Sequence, residues 1–213
     1  MKYGVLGTGM VGQVIANRLA GLGYEVMVGT REPARSADKL KSLHAAVQVG
    51  AFAQAAAFGE MLFNATGGQV SIDALRLAGE SNLAGKALVD ISNPLDFSRG
   101  MPPSLTVTNT DSLGEQIQRA FPQAKVVKAL NTVTASLMVD PKLVASGDHH
   151  LFICGNDSGA KEQVIQLLQS FGWSHIVDLG DITNARATEA ILPIWVRLYG
   201  KLGTPMFNFK LVQ

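Results

Sequence analysis

Gly7, Gly9 and Gly12 stand in the spacing G-x-G-x-x-G, within Gly7-Thr8-Gly9-Met10-Val11-Gly12. Three glycines so placed can bind a pyrophosphate through the backbone alone. The first lets the chain turn sharply, the second lets the main chain approach the phosphates, and the third lets a following helix pack on the preceding strand. The free N–H groups and positive dipole end of that helix then face the anion. Glycine-rich turns are common, so the flanking elements decide. Lys2 to Leu6 is a short apolar, β-favouring run, and Val11, Val14, Ile15, Leu19 and Leu22 carry the spacing of one helix face up to a stop at Gly23. Strand, turn and helix agree on a dinucleotide-binding turn.

The second strand, Glu25 to Gly29, ends in Thr30-Arg31-Glu32-Pro33-Ala34-Arg35. In the NAD form of this fingerprint a carboxylate about 20 residues past the glycines accepts hydrogen bonds from the adenosine ribose. Thr30 occupies that place, Arg31 follows it, and Arg35 opens the next segment. A 2′-phosphate needs donors and positive charge, which a hydroxyl and planar guanidinium groups supply and a carboxylate would oppose. The expected cofactor is NADP.

These turns need a sheet to hold them. Beyond the second strand the pattern gives a helix over 36–44, a strand at Val47 to Val49, a helix over Ala51 to Phe58, and a strand at Glu60 to Ala65. Thr66-Gly67-Gly68-Gln69 is a permissive turn beside a cofactor. A helix over Val70 to Ala78 and a strand at Lys86 to Asp90 follow, then a proline-rich loop to Pro103, a helix over Ser112 to Phe121 and a strand at Lys125 to Leu130. This alternation predicts an α/β, Rossmann-type doubly wound parallel sheet. In such sheets ligands bind outside the carboxyl ends of the strands, which gathers Thr8, Thr30, Thr66, Ser92 and Asn131 around one crevice. A strand at His149 to Cys154, a helix over Ser158 to Phe171 and a strand at His175 to Leu179 make a small C-terminal α/β extension packed on the sheet. The division expected is 1–135 for an NADP-binding domain and 136–213 for a small portion covering the acceptor pocket, the two forming one compact unit.

The final segment, Thr183 to Leu202, is apolar nearly all round, with Pro193 marking a kink or break. All-round hydrophobicity predicts burial in the core or against another subunit. Arg186 and Glu189, at i and i+3, are placed to pair with each other.

A net charge of +1 with 16% charged residues offers nothing to a nucleic acid. The single cysteine, Cys154, lies in an apolar strand, where packing is its role, and it fits a reducing, cytoplasmic compartment. No 18-residue apolar run predicts a membrane span. The four histidines have no metal-ligand spacing, and His149 and His150 are expected as solvated strand-end residues. His149, Lys128 and Tyr199 are the candidate proton donors, and they form no arrangement that assigns a catalytic residue.

Over nearly its whole length the chain resembles the NADPH-dependent deazaflavin reductases, the coenzyme F-420:NADP oxidoreductase family, and it is similar to the oxidoreductase domain of the STEAP metalloreductases. The marks are GTGMVG at Gly7 to Gly12, GTR at Gly29 to Arg31 with Arg35, KALNTVTA at Lys128 to Ala135, FICGND at Phe152 to Asp157, and DLGDITNARATEAILP at Asp178 to Pro193. The resemblance implies hydride transfer between NADPH and a planar acceptor, and a homodimer. It implies that Thr8, Met10 and Val11 line the pyrophosphate turn and that Thr30, Arg31 and Arg35 hold the 2′-phosphate. Ala65, Thr66, Gly67, Asn93, Asn131 and Thr132, with Val133 and Thr134 after them, would border the nicotinamide and acceptor crevice. Thr66-Gly67-Gly68 and the loop from Ser92 to Arg99 differ from archaeal members, so coenzyme F-420, a flavin (FMN or FAD) or a ferric chelate reduced through a flavin all stand as acceptors. An NADP(H)-binding sensor or partner-binding module without turnover is the alternative.

Overall fold

β1 (Lys2–Leu6) lies inside a sheet that has eight strands among the described residues, between β2 (Glu25–Thr30) and β4 (Met61–Asn64). The protein is described by a computed structural model covering residues 1–36 and 40–213, and all their side chains but those of Arg35 and Ser36. β3 (Val47–Ala51) closes one edge beyond β2, while β5 (Ala87–Asp90), β8 (Lys125–Ala129), β9 (Leu151–Gly155) and β10 (Ile176–Asp178) extend the sheet beyond β4. The order β10-β9-β8-β5-β4-β1-β2-β3 reverses its direction of winding between β1 and β4. That reversal opens the crevice of a doubly wound sheet.

Successive strand residues point to opposite faces, so the apolar strands fill two cores. Val5, Phe63, Val89 and Val127 pack with α1 (Met10–Gly21), α7 (Ala135–Val139) and α8 (Ser158–Phe171) through Ile15, Leu137 and Leu168. Leu6, Leu62, Leu88 and Val126 pack with α3 (Phe52–Phe58), α4 (Ser71–Ala78) and α6 (Leu113–Ala120) through Ala55, Leu75 and Ile117. Each fully buried aliphatic side chain contributes about 1.5–3 kcal/mol. Cys154 is buried in the second core, and burial pushes its thiol up to about 12, so it packs rather than reacts.

The α/β expectation holds, with differences in detail. The C-terminal strands do not sit on the sheet but join its edge, and β9 runs antiparallel to β8 before β10 resumes parallel pairing with β9. The proline-rich loop contains a small hairpin of β6 (Leu95–Asp96) and β7 (Ser104–Leu105). The helix expected over 36–44 lies partly outside the described residues; a four-residue helix α2 (Pro33–Ser36) precedes them, and residues 40–44 form turns instead of α-helix. A short α5 (Glu80–Leu83) follows α4.

The terminal segment breaks where Pro193 stands, giving α9 (Ala185–Ala190) and α10 (Leu192–Leu202). α10 is not enclosed by its own chain: Leu192 and Val196 are buried, whereas Ile194, Tyr199 and Leu202 are exposed. His149 overturns its expected solvation. It is buried edge-on against Trp173, with Nε2 2.9 Å from the Pro141 carbonyl oxygen and Nδ1 2.8 Å from Asn208 Nδ2. The C-terminal residues 207–211, which carry no periodic signal, strap this region, with His150 N–H donating to the Phe209 carbonyl.

Candidate functional site

Two adjoining cavities, of about 540 and 380 Å³, occupy the carboxyl ends of β1 and β4 and share Ala65, Thr66, Gly67 and Val70. The larger is walled by the glycine turn, the end of β2, Phe52, and Ala74 and Leu77 of α4. Val11, Ile91, Ser92, Asn93, Leu95 and Phe97 line the smaller, together with the 67–70 turn. Among the described residues no charged side chain lines the smaller cavity, while Arg31, Glu32 and Asp73 line the larger.

The three glycines divide their work. Gly7 has φ +123°, and a Cβ there would stand 2.5 Å from the Ala65 carbonyl oxygen. A Cβ on Gly12 would meet the Gly7 carbonyl oxygen at 2.1 Å, so helix and turn are in backbone contact. Gly9 has nothing within 4 Å of its missing Cβ and lines the larger cavity as the N-cap of α1. No side chain caps that helix and no acidic residue occupies its first turn, so its N–H groups and positive end remain available to an anion.

Thr30 is buried at the end of β2, with Arg31 and Glu32 exposed beside it on the cavity wall. The side chain of Arg35 lies outside the described residues. Val11 reaches the smaller cavity, whereas Met10 is 74% exposed and lines neither. Asn131 and Thr132 are also absent from both walls, and both are buried. Asn131 Nδ2 donates to Asn93 Oδ1 and to the Thr188 carbonyl, each at 3.0 Å, and Asn93 Nδ2 donates back to the Asn131 carbonyl at 2.8 Å.

Under the crevice lies a polar row that sequence reasoning missed. Asn64, Asp90 and Lys128 are register neighbours on β4, β5 and β8 and therefore face the same side of the sheet. Asn64 Nδ2 donates to Asp90 Oδ1 at 2.8 Å, and Thr66 Oγ1 donates to Asn64 Oδ1 at 2.6 Å. Lys128 is fully buried, with Nζ 2.8 Å from both Asp90 Oδ2 and Glu189 Oε1 and 2.5 Å from the Ser92 carbonyl oxygen. Burial alone would lower the ammonium pKa, but the two facing carboxylates outweigh it and hold it above the ordinary lysine value. Glu189 also accepts the Leu113 and Gly114 N–H groups at 2.8 and 3.0 Å, which caps α6.

Glu189 therefore does not pair with Arg186, and the i, i+3 expectation is wrong. Arg186 pairs instead with Glu115, at 2.8 Å from Nε and 2.5 Å from Nη2, and this guanidinium draws the Glu115 carboxyl below its usual range. The spacing Ser112-x-x-Glu115 was a usable helix-start signal: the Ser112 hydroxyl accepts the Glu115 N–H at 3.1 Å. The neighbouring Asp111 accepts from both terminal nitrogens of Arg119, which holds its carboxyl down at about 2. Its folded value lies below the unfolded value of about 3.9, so its contribution is present above about pH 4 and fades as the pH falls toward 2. Asp111→Asn is expected to flatten the fall of the denaturation midpoint across that window; an unchanged slope would assign the acid loss to other carboxylates. Among the described residues no group of three or more His, Cys, Asp or Glu could hold a metal ion, and no helix is long and apolar enough to cross a membrane.

The model of the family described as NADP oxidoreductase, coenzyme F-420-dependent, matches residues 2–94. A solved structure of a candidate F-420-dependent NADP-reductase from Arthrobacter sp. FB24 is 57% identical, with 100% of both chains covered and a TM-score of 0.98. The chain belongs to the coenzyme F-420-dependent NADP oxidoreductase family. As a member it is an NADP-dependent oxidoreductase. The F-420-dependent NADP reductase of Methanocaldococcus jannaschii is 28% identical, with 93% of this chain and 92% of that protein covered. The metalloreductase STEAP3 of Rattus norvegicus is 34% identical over 91% of this chain, and the chain spans 38% of its length. An imine reductase of Bacillus cereus, 18% identical with a TM-score of 0.65 over 95% of this chain and 62% of that one, shares the fold alone.

In this family member none of the three candidate proton donors lines either cavity. Lys128 is locked between carboxylates, His149 is packed under Trp173, and Tyr199 lies half-exposed on α10.

Proposed function

We propose that this oxidoreductase moves a hydride between NADPH, held in the larger cavity, and a planar deazaflavin or flavin acceptor seated in the smaller one. The observation that carries it is the junction of the two cavities: one bordered by a glycine turn and Arg31, the other lined by no charged side chain among the described residues, with Ala65 to Gly67 common to both. When bound, NADPH supplies two electrons and a hydrogen as hydride, and uptake of one solvent proton balances reduction of the acceptor beside NADP⁺. The chain's own residues bind and align. Gly7 to Val11 and Gly12 form the pyrophosphate turn, Thr30, Arg31 and Arg35 take the 2′-phosphate, and Ala65 to Gly67 with Asn93 border the place where the two rings stack. Asn131 acts from beneath by holding Asn93, and the adjacent Thr132 is buried.

Coenzyme F-420 is the acceptor favoured by the named relatives, with FMN or FAD next. The reading gives 1–135 to NADP and 136–213 to a small portion completing the unit, and it includes a cytoplasmic homodimer joined through the exposed apolar side of α10; a monomer in sedimentation would remove the dimer. The deciding assay is NADPH oxidation by purified protein with F-420, FMN, FAD and riboflavin in parallel, each with and without a ferric chelate. Turnover with any of them supports hydride transfer and names the acceptor. Tight NADPH binding with no turnover would replace it by the sensor reading.

Cofactor choice has its own test. A charge-assisted phosphate contact contributes about 1.5–3 kcal/mol. Arg31→Ala is therefore expected to weaken NADPH binding by more than about tenfold while leaving NADH nearly unaffected. Equal losses for both nucleotides, measured by titration, would move the 2′-phosphate away from the end of β2.

A further inference from the structure

We infer that Phe97 is the aromatic cover of the acceptor site, its ring stacking on the planar acceptor in the smaller cavity. The inference rests on the hydride-transfer reading above. A lone exposed phenylalanine needs no explanation, because folded proteins leave much apolar surface in water. Phe97 differs in three respects.

It is 54% exposed and yet forms part of a cavity wall. Its backbone is held with unusual care for a surface loop. Asp96 Oδ1 accepts the Ser98 N–H and Asp96 Oδ2 accepts the Ser98 hydroxyl, each at 2.9 Å, and the Phe97 carbonyl accepts the Gly100 N–H at 2.9 Å. The hairpin below it is anchored to the crevice by Gln69 Nε2, which donates to the Leu95 carbonyl at 3.3 Å. The aromatic ring is thus presented by a preorganised turn, which lowers the cost of ordering it on a ligand.

The third respect is what surrounds it. Val11, Ile91 and Leu95 supply aliphatic walls, and the Gly67-Gly68 backbone lies so close to Asn93 that a Cβ on Gly68 would meet the Asn93 carbonyl oxygen at 2.0 Å. With no charged side chain lining it among the described residues, the cavity suits an uncharged flat ring system. Offset stacking on an aromatic face is the interaction such a ring adds to simple burial.

The test reads binding as well as turnover. Oxidised FMN and oxidised F-420 are titrated against the protein in the presence of NADP⁺, following quenching of the ring fluorescence, with NADPH binding measured separately. Phe97→Ala is expected to weaken binding of the acceptor that the wild type takes by about tenfold, equivalent to about 1.4 kcal/mol. Phe97→Tyr, which keeps the ring and reports on folding, should stay within about twofold of wild type, and NADPH binding should be unchanged in both. Acceptor binding by Phe97→Ala equal to wild type would overturn the assignment of Phe97 alone. A parallel loss of NADPH binding would also overturn it, by making the residue a general prop. A wild type that binds NADPH but neither acceptor and turns over none would instead remove the hydride-transfer reading itself.

Discussion

Lys128→Met is expected to destabilise the fold by about 3–5 kcal/mol, because it leaves Asp90 and Glu189 buried with no cation between them. For a chain of this length that is a fall in melting temperature on the order of 10 °C. The size of the effect comes from the missing partner, not from the worth of the pair, since two buried carboxylates must then neutralise or draw in water. Lys128→Met combined with Glu189→Gln should recover part of the loss by removing one of the stranded charges. The pH dependence carries a sign. The Lys128 pKa is raised in the folded protein, so its contribution is complete below the unfolded value of about 10.4 and is lost as pH rises through the folded one. Wild type should lose stability in strong alkali by a step that the Met variant lacks. Denaturant midpoints collected from neutral pH upward read both effects, and a Met variant as stable as wild type would show that the carboxylates are compensated by some other group.

The second large effect belongs to the glycine turn. Gly12→Ala places a Cβ about 2 Å from the Gly7 carbonyl oxygen, a backbone atom with nowhere to go. The Gly7 N–H is bonded to the Gly29 carbonyl at 3.0 Å, which ties the turn to β2, so α1 must lift away from the sheet. Overpacking of this kind costs about 1–3 kcal/mol, and displacing a binding element by about 1 Å can cost on the order of a hundredfold. NADPH affinity is expected to fall by that much. Gly9→Ala makes the matching control. Its Cβ meets no protein atom within 4 Å and its φ of −71° suits alanine, so the melting temperature should hold or rise slightly. NADPH binding should nevertheless fall by about tenfold or more, because the space Gly9 leaves empty is the space a pyrophosphate needs. A Gly9→Ala variant with wild-type affinity would place the phosphates elsewhere.

Much of the scaffold could be read from the chain. Lys2 to Leu6, Val47 to Val49 and Ser158 to Phe171 declare themselves because strand alternation and helix periodicity are properties of neighbouring residues. The same locality made the Gly7 to Gly12 turn, the lack of a carboxylate at Thr30 and the break at Pro193 legible, since each depends on backbone freedom or charge within a few positions. Family membership followed from such local marks as well.

Tertiary structure decided whatever depends on which distant residues meet. Arg186 had Glu189 one helical turn away and took Glu115, 71 positions distant, while Glu189 turned to Lys128 and to the start of α6. No local rule distinguishes these partners, because helix spacing says only which side chains share a face and the packing of α9 on α6 says what that face touches. His149 looked like a wet strand end and lies under Trp173, because the C-terminal strap folds back over it. Asn131 and Thr132 were expected on the crevice wall; both are buried, and Asn131 bonds to Asn93, which lines it. Phe97, in a loop with no periodicity, is brought to the cavity mouth only by the β6–β7 hairpin. Sequence alone determined that this chain builds a Rossmann-type sheet of an NADP-dependent family, since the marks of both are written in adjacent residues. The buried charge row beneath the crevice and the ring over its mouth were decided by the fold, because their partners are adjacent in space and not along the chain.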